Sequence, residues 1–332
     1  LRGRRLLRPL VPVYSGVIAA QAWLRERGFP GVRRLGHPVI SVGSLSAGGA
    51  GKTPVVVMLA ELLTEGGFEV RVLTRGYGRR SKSVERVDPA GTAAEFGDEP
   101  VMMARRLPGA SVWVGRDRYS AGMLSERDET AGAKVVYLLD DGFQHRKLAR
   151  DVDVVLLTRR ELEDALLPEG NLREPLKAIG RADVIVLREE DGFAGGISGK
   201  AATWFVRREL HFAEGEERPL RPVAFCGLAR PEGFFAMLAE AGVSVAAARA
   251  FRDHHGYSTG DIEGLVRLAR ECGADGFVTT EKDAVKLTGE MIERLGSVGR
   301  VAVAELGLEL ADAESVVTTL LERIHQGERA AG

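Results

Sequence analysis

Two cysteines in 332 residues, Cys226 and Cys272, exclude a disulfide framework and a thiolate metal cluster. Reduced, mostly buried thiols of this kind suit a cytosolic protein. No run reaches the ~20 apolar residues that span a bilayer. The nearest, residues 9–24, is short and carries Pro12 and Gln21. No small-residue cleavage site follows it, which argues against a secretory signal. Net charge is also missing: 46 basic residues against 47 acidic ones give −1. The chain as a whole is therefore not a nucleic-acid binder by charge. Internal repeats and low-complexity tracts are absent from the sequence.

What is present is a globular balance, 45% hydrophobic and 28% charged, over a length that suits about two domains. The charge is unevenly spread. Residues 1–36 hold Arg2, Arg4, Arg5, Arg8, Arg25, Arg27, Arg33 and Arg34 against Glu26 alone. Residues 6–24 read as a helix with Leu, Val, Ile and Trp on one side and arginine at both ends. Such a helix suits an anionic bilayer interface. The alternative is packing on its own domain with the arginines in water.

Beyond it, short apolar runs alternate with amphipathic stretches. Strands are expected at 39–42, 69–74, 111–114, 135–139, 152–157 and 184–187, with helices at 53–64, 99–106 and 118–127. This alternation implies an α/β fold with a parallel sheet covered on both faces. A second βα set holds strands at 223–226, 243–247 and 276–279 and helices at 232–241 and 260–272. Two partly alternating segments, 203–212 and 301–310, bracket it and read as a two-stranded connector. The expected organisation is a basic N-terminal segment (1–36), a first domain (37–200) and a second (213–299). The linker occupies 201–212 and 300–310, and a last helix, 311–326, returns to the first domain.

The first strand runs into GSLSAGGAGKT, residues 43–53, and then a helix. A glycine-rich loop between strand and helix turns backbone N–H groups toward phosphate oxygens, and the helix N-terminus adds partial positive charge. The segment Ser46, Ala47, Gly48, Gly49, Ala50, Gly51, Lys52 and Thr53 therefore reads as a P-loop for ATP and Mg²⁺. Lys52 would reach the β- and γ-phosphates, and the Thr53 hydroxyl would ligate the metal. Ser46 stands where the strict pattern has glycine. A second strand, 135–139, ends in Asp140-Asp141, where a P-loop protein keeps a metal-binding carboxylate. A guanine reader of the form Asn-Lys-x-Asp is missing, since the nearest segment is Thr280-Glu281-Lys282-Asp283. Ala47 occupies the position where membrane-cycling ATPases of the deviant type carry an extra lysine. A kinase acting on a small hydroxyl acceptor remains.

Several segments in order resemble the tetraacyldisaccharide 4'-kinase family, the lipid A 4'-kinases of Gram-negative bacteria. They are PVISVGSLSAGGAGKTP (38–54), TRGYGRRS (74–81), GDEP (97–100), LLDDGFQHRKLARD (138–151), LPEGNLREPL (167–176), FRDHHGYS (251–258) and TTEKDAVKL (279–287). Ser44 departs from the family's usual Asn. The resemblance implies transfer of phosphate from ATP to the 4'-hydroxyl of a tetraacylated glucosamine disaccharide 1-phosphate, at the cytoplasmic face of the inner membrane. It implies a P-loop domain and a smaller α/β/α domain on a two-stranded linker, with a lipid and an anionic membrane surface as partners. No obligate protein partner and no nucleic acid are expected.

By the same resemblance Asp98 in GDEP is the base, and His254 orients it or shares its proton; capping of the following helix is the other role open to Asp98. Glu99, Asp140 and Asp141 are metal ligands whose shares the sequence does not divide. Arg75, Tyr77, Gln144, His145, Arg173 and Glu174 are substrate contacts, and Lys282 approaches the nucleotide from the second domain. Two readings compete with the kinase: an ATP-driven switch at the membrane without a small acceptor, and a kinase for a soluble metabolite.

Overall fold

The apolar runs pair side by side because most are buried on both faces. The computed structural model describes residues 4–48, 51–128, 132–193, 199–213 and 217–331. Among these, twelve strands form one sheet. In chain order they are β1 (Val39–Gly43), β2 (Glu69–Thr74), β3 (Glu85–Arg86), β4 (Ala110–Val114), β5 (Val135–Leu139) and β6 (Val152–Leu157). Then come β7 (Val184–Arg188), β8 (Ala202–His211), β9 (Val223–Cys226), β10 (Ala247–Ala250), β11 (Phe277–Thr280) and β12 (Val301–Leu310). Their spatial order is β10-β9-β11-β12-β8-β7-β6-β1-β5-β2-β4-β3. Every pairing is parallel except β3 with β4 and β8 with β12. The α/β sheet implied by the alternation is the one that forms.

A 3-10 segment (Arg4–Leu10) leads into α1 (Val11–Glu26). The remaining helices are α2 (Lys52–Glu65), α3 (Ala93–Phe96), α4 (Asp98–Arg106), α5 (Arg118–Ser125), α6 (Arg159–Leu162) and α7 (Pro231–Glu240). They continue with α8 (Thr259–Cys272), α9 (Glu281–Ala284), α10 (Gly289–Gly296) and α11 (Ala313–Ala331). One face of the β1–β7 region is covered by α2 and α4, whose Val56, Leu59 and Met103 pack with Val42, Val72 and Val154. From the far end of the chain, α11 inserts Val316, Leu320 and Ile324 into that same core.

The antiparallel pair joins two parallel sets. β8 pairs with β7 through its first half and with β12 through its second, from Val206↔Leu310 to His211↔Glu305. β12 in turn pairs in parallel with β11, from Phe277↔Val301 to Thr280↔Ala304.

One strand is misplaced by the sequence reading. Val243 and Val245 do not enter a strand; they pack toward Phe234 and Leu238 beside α7. The edge strand is the less apolar Ala247–Ala250, paired with Val223–Cys226. Gly242, at φ 74°, closes α7, and the chain needs the next few residues to reach the sheet. The β-branched residues there serve helix packing instead of the ladder.

Beyond its carboxyl end, β1 approaches the loop after β5 so closely that only glycine fits. A Cβ on Gly43 would sit 2.5 Å from Phe143 Cβ. This contact holds the start of the P-loop against the Asp-Asp-Gly-Phe turn.

Candidate active site

Ligands of open α/β sheets bind beyond the carboxyl ends of the strands, where the strand order reverses. A cavity of about 970 Å³ lies there, beyond β1, β2 and β5. Its far side is built by residues 228–237, Asp253, His254 and residues 280–282. The β8–β12 ladder contributes Val206, Arg208, Leu210, Ala304, Leu306 and Leu308 to the wall between them.

Ala47, Gly48, Gly51, Lys52 and Thr53 line the cavity, while Gly49 and Ala50 lie outside the described residues. Gly48 and Gly51 take φ of 76° and 88°, left-handed values that turn the backbone into a cradle. At the N-terminus of α2, Gly51 offers no side-chain cap, and the first turn holds no acid. Its N–H groups are left for an anion. Ser46 does not face the cavity. It is buried, its N–H donates to Glu161 Oε1 at 3.0 Å, and it bridges to Leu172.

Asp141 follows β5 in a left-handed conformation, φ 51°, which suits a turn before Gly142. Arg173 grips it with two hydrogen bonds of 2.6 and 2.8 Å. Lys52 Nζ lies 3.4 Å from the same carboxylate. Burial works to raise the Asp141 pKa, but Arg173 and Lys52 hold it well below the carboxylate range. Asp140 is deeper and accepts a 2.8 Å hydrogen bond from Thr74. Burial, with repulsion from Glu99 and Asp141, pushes it up to about 6.

Across the cavity, His254 Nδ1 meets Asp98 Oδ2 at 2.8 Å. Asp98 starts α4, is 6% exposed, and accepts the Glu99 N–H on its other oxygen at 3.0 Å. Gly97 before it needs φ 97°, and a Cβ there would come 2.9 Å from the Tyr77 carbonyl. Burial raises the Asp98 pKa, but the His254 hydrogen bond and the Lys282 charge bring it below its ordinary value. The same hydrogen bond raises His254, against burial and Lys282. Lys282 Nζ donates to Glu99 at 3.0 Å and lies 3.4 Å from Asp253. The site thus gathers Lys52, Thr53, Asp98, Glu99, Asp140, Asp141, His254 and Lys282 around one space.

Arg75, Tyr77, Gln144, His145 and Arg173 also line the cavity. The Tyr77 ring lies 5.2 Å from that of His254. Gln144 donates to the Ser44 carbonyl at 3.0 Å. Burial and Arg118 push His145 down to about 4. Glu174 departs from its expected place. Outside the cavity lining, its buried carboxylate accepts from Arg181 at 2.9 Å. The alternation of side chains along the Leu172–Glu174 stretch turns Arg173 inward and its neighbour away.

Sequence reasoning missed Thr74, Asp253 and Arg118. Arg118 is buried, lines the cavity, and has a buried Nε without a partner. Its signal was its place, just past the carboxyl end of β4 where parallel sheets put ligand groups.

A glycine-rich cradle on β1–α2, acids after β5 and an acid–histidine pair opposite define the chain as a P-loop phosphotransferase. Comparison with known proteins narrows this class. A family model described as tetraacyldisaccharide-1-P 4'-kinase matches residues 3–325, and the chain belongs to that family. The tetraacyldisaccharide 4'-kinase of Koribacter versatilis is 39% identical over 326 residues, covering 96% of this chain and 99% of its own. Its counterpart from Aquifex aeolicus is 38% identical over 299 residues, covering 86% and 90%. The crystal structure of "apo" form LpxK from Aquifex aeolicus in complex with ATP superposes with a TM-score of 0.78. That pair shares 34% identity, with 97% of this chain and 99% of the other covered.

Proposed function

We propose that the chain transfers the γ-phosphoryl group of ATP to the 4'-hydroxyl of a tetraacyldisaccharide 1-phosphate, with Asp98 as the base. The observation that carries this reading is the 2.8 Å contact between Asp98 and His254, set across the cavity from Lys52. A sugar hydroxyl is a poor nucleophile at neutral pH, so an acceptor for its proton belongs within reach. Asp98, held ionised by His254 and Lys282, supplies one. With hydrogen on Nδ1, His254 donates to Asp98 Oδ2 and fixes the carboxylate's orientation. The hydroxyl oxygen attacks the γ-phosphorus, ADP leaves, and the hydroxyl proton passes to Asp98. Lys52 and the N–H groups at the start of α2 steady the charge that develops on the phosphoryl oxygens.

Magnesium fits the residues present. Thr53, Glu99, Asp140 and Asp141 offer the oxygen donors a hard cation takes. Burial first, and then repulsion from Glu99 and Asp141, pushes Asp140 up to about 6, and a cation would offset the repulsive part. Among the described residues no three His, Cys, Asp or Glu side chains converge into a closed metal set. Held by these residues, magnesium would supply positive charge that offsets the charge on the phosphate oxygens.

The acceptor's acyl chains call for a membrane. Among the described residues no helix is long and apolar enough to cross one. α1 has no buried residue, and Val13, Val17 and Leu24 stand 65%, 50% and 41% exposed along it. An exposed apolar stripe with arginines at both ends fits the surface of an anionic bilayer. This supports peripheral attachment at the cytoplasmic face of the inner membrane. We further read residues 37–200 with 311–326 as one unit and 213–299 as a second, hinged on the linker of 201–212 and 300–310, so that closure brings His254 to Asp98.

Incubation with Mg-ATP and tetraacyldisaccharide 1-phosphate tests the function. A second phosphate on the lipid is expected. ATP hydrolysis with no phosphorylated lipid would contradict the reading.

A further inference from the structure

Two stripes run along α1, and only one of them is free. Val11, Tyr14, Ile18, Ala22 and Arg25 are half-buried and recur every three or four residues, one face of a helix. Tyr14 ties this face to the strip of residues 169–173, and the 3-10 segment before α1 adds further bonds to it. Tyr14 Oη donates to the Arg173 carbonyl at 3.1 Å. Arg4 Nη1, from the turn before α1, donates to Asn171 Oδ1 at 2.7 Å and to the Gly170 carbonyl at 3.2 Å. Arg8 lies 3.9 Å from Glu169.

The other edge of that strip is the partner of the phosphate cradle. Ala47 N–H donates to the Asn171 carbonyl at 2.8 Å, and Arg173 N–H donates to the Leu45 carbonyl at 2.7 Å. Ser46 and Leu172 form an antiparallel bridge between them. Asp164 pins Asn171 from inside, through its side-chain amide at 2.9 Å. Arg173, at the end of the strip, holds Asp141, and Asp141 in turn lies beside Lys52. Contacts therefore lead from Arg4 through Asn171 to Ala47, and from Tyr14 through Arg173 and Asp141 to Lys52. The strip is one strand-width across, so a shift on its outer edge is felt on its inner one.

We propose that Tyr14 and Arg4 are positioning residues for the nucleotide, setting the P-loop and Arg173 through the 169–173 strip. The helix that meets lipid thereby also orders the site that meets ATP, and a membrane surface that holds α1 in place tightens ATP binding. The membrane half of this statement rests on the proposed function; the ATP half does not.

The test is the dissociation constant of Mg-ATP, measured on the full chain without lipid or acceptor, where anchoring plays no part. Tyr14→Phe removes one hydroxyl and leaves the ring. Arg4→Gln removes the charge. One hydrogen bond of this kind corresponds to about a 5-fold change in affinity. Each variant is expected to weaken ATP about 5-fold, and Arg4→Lys to recover part of the loss. The KM for ATP should rise more than kcat falls, whereas misfolding would lower the active fraction and leave KM alone. Anionic phospholipid vesicles should tighten ATP for the wild type and less so for the variants. Wild-type ATP affinity in both variants, or an unchanged wild-type affinity on vesicles, would overturn the inference. Failure of the wild type to phosphorylate the lipid would overturn the kinase reading instead, leaving the ATP comparison standing.

Discussion

Lys52 meets both the cradle and the acids after β5. It lies 3.4 Å from Asp141 and 3.5 Å from Ser44 Oγ. Its charge is expected to serve the migrating phosphoryl group. Contacts of this sort are worth about 3–4 kcal/mol, or roughly 100–1000-fold in rate. Lys52→Ala should lose that much kcat in a lipid phosphorylation assay, and a variant with more than half of wild-type kcat would refute the role. Two neighbours make a pH prediction. His145, pushed down to about 4, binds fewer protons folded than unfolded between pH 4 and 6.5, so it makes stability rise with pH there. Asp140, pushed up to about 6, binds more protons folded and acts in the opposite sense. Asp140→Asn removes the second effect. Metal-free melting temperature should then rise more steeply from pH 4.5 to 6 in this variant than in wild type; equal slopes would contradict the assignment. At this scale the motif residues were legible because glycine, lysine and paired acids carry their chemistry in their spacing. Glu174 was not, because which of two adjacent residues faces inward depends on a strip paired to the P-loop from far along the chain.

Elements were legible where hydrophobic period and burial agree. β1, β5 and β6 read as apolar runs and are buried throughout. β10 was misread since its residues are half-buried or exposed, while the valines before it cover α7. α9 and α10 were not anticipated, as their four and eight residues are too short to establish a period. Helix α1 was legible as a helix, and the structure shows one half-buried face tied to Arg173 and one exposed apolar stripe, whose partner the sequence left open. Arginines near an anionic surface are each worth about 1 kcal/mol. Changing Arg2, Arg4, Arg5 and Arg8 to Gln should therefore reduce sedimentation with anionic vesicles, and salt should reduce it for the wild type. Sedimentation that responds to neither would place α1 on the protein alone.

Across the whole molecule, α4 joins the acceptor side of the site to residues far along the chain. α4 begins with Asp98 and Glu99, which meet His254 and Lys282. It ends with Arg106, which meets Glu281 at 3.2 Å and the Leu306 carbonyl at 3.2 Å. The pairs at both ends join parts of the chain more than 150 residues apart. No local pattern encodes such a meeting, so the sequence offered the acid and the histidine as separate motifs, joined only by family resemblance. The proposed base mechanism requires these two to act as one unit on the acceptor's proton. Its most direct test is a double-mutant cycle on kcat with Asp98→Ala, His254→Ala and both, beside a separate measurement of ATP binding. General-base contributions are roughly 100–10,000-fold, and groups acting as a unit are non-additive. Each single variant should lose at least about 100-fold, the double should be little worse than the poorer single, and ATP affinity should hold. Losses that multiply would show two independent residues and contradict the account.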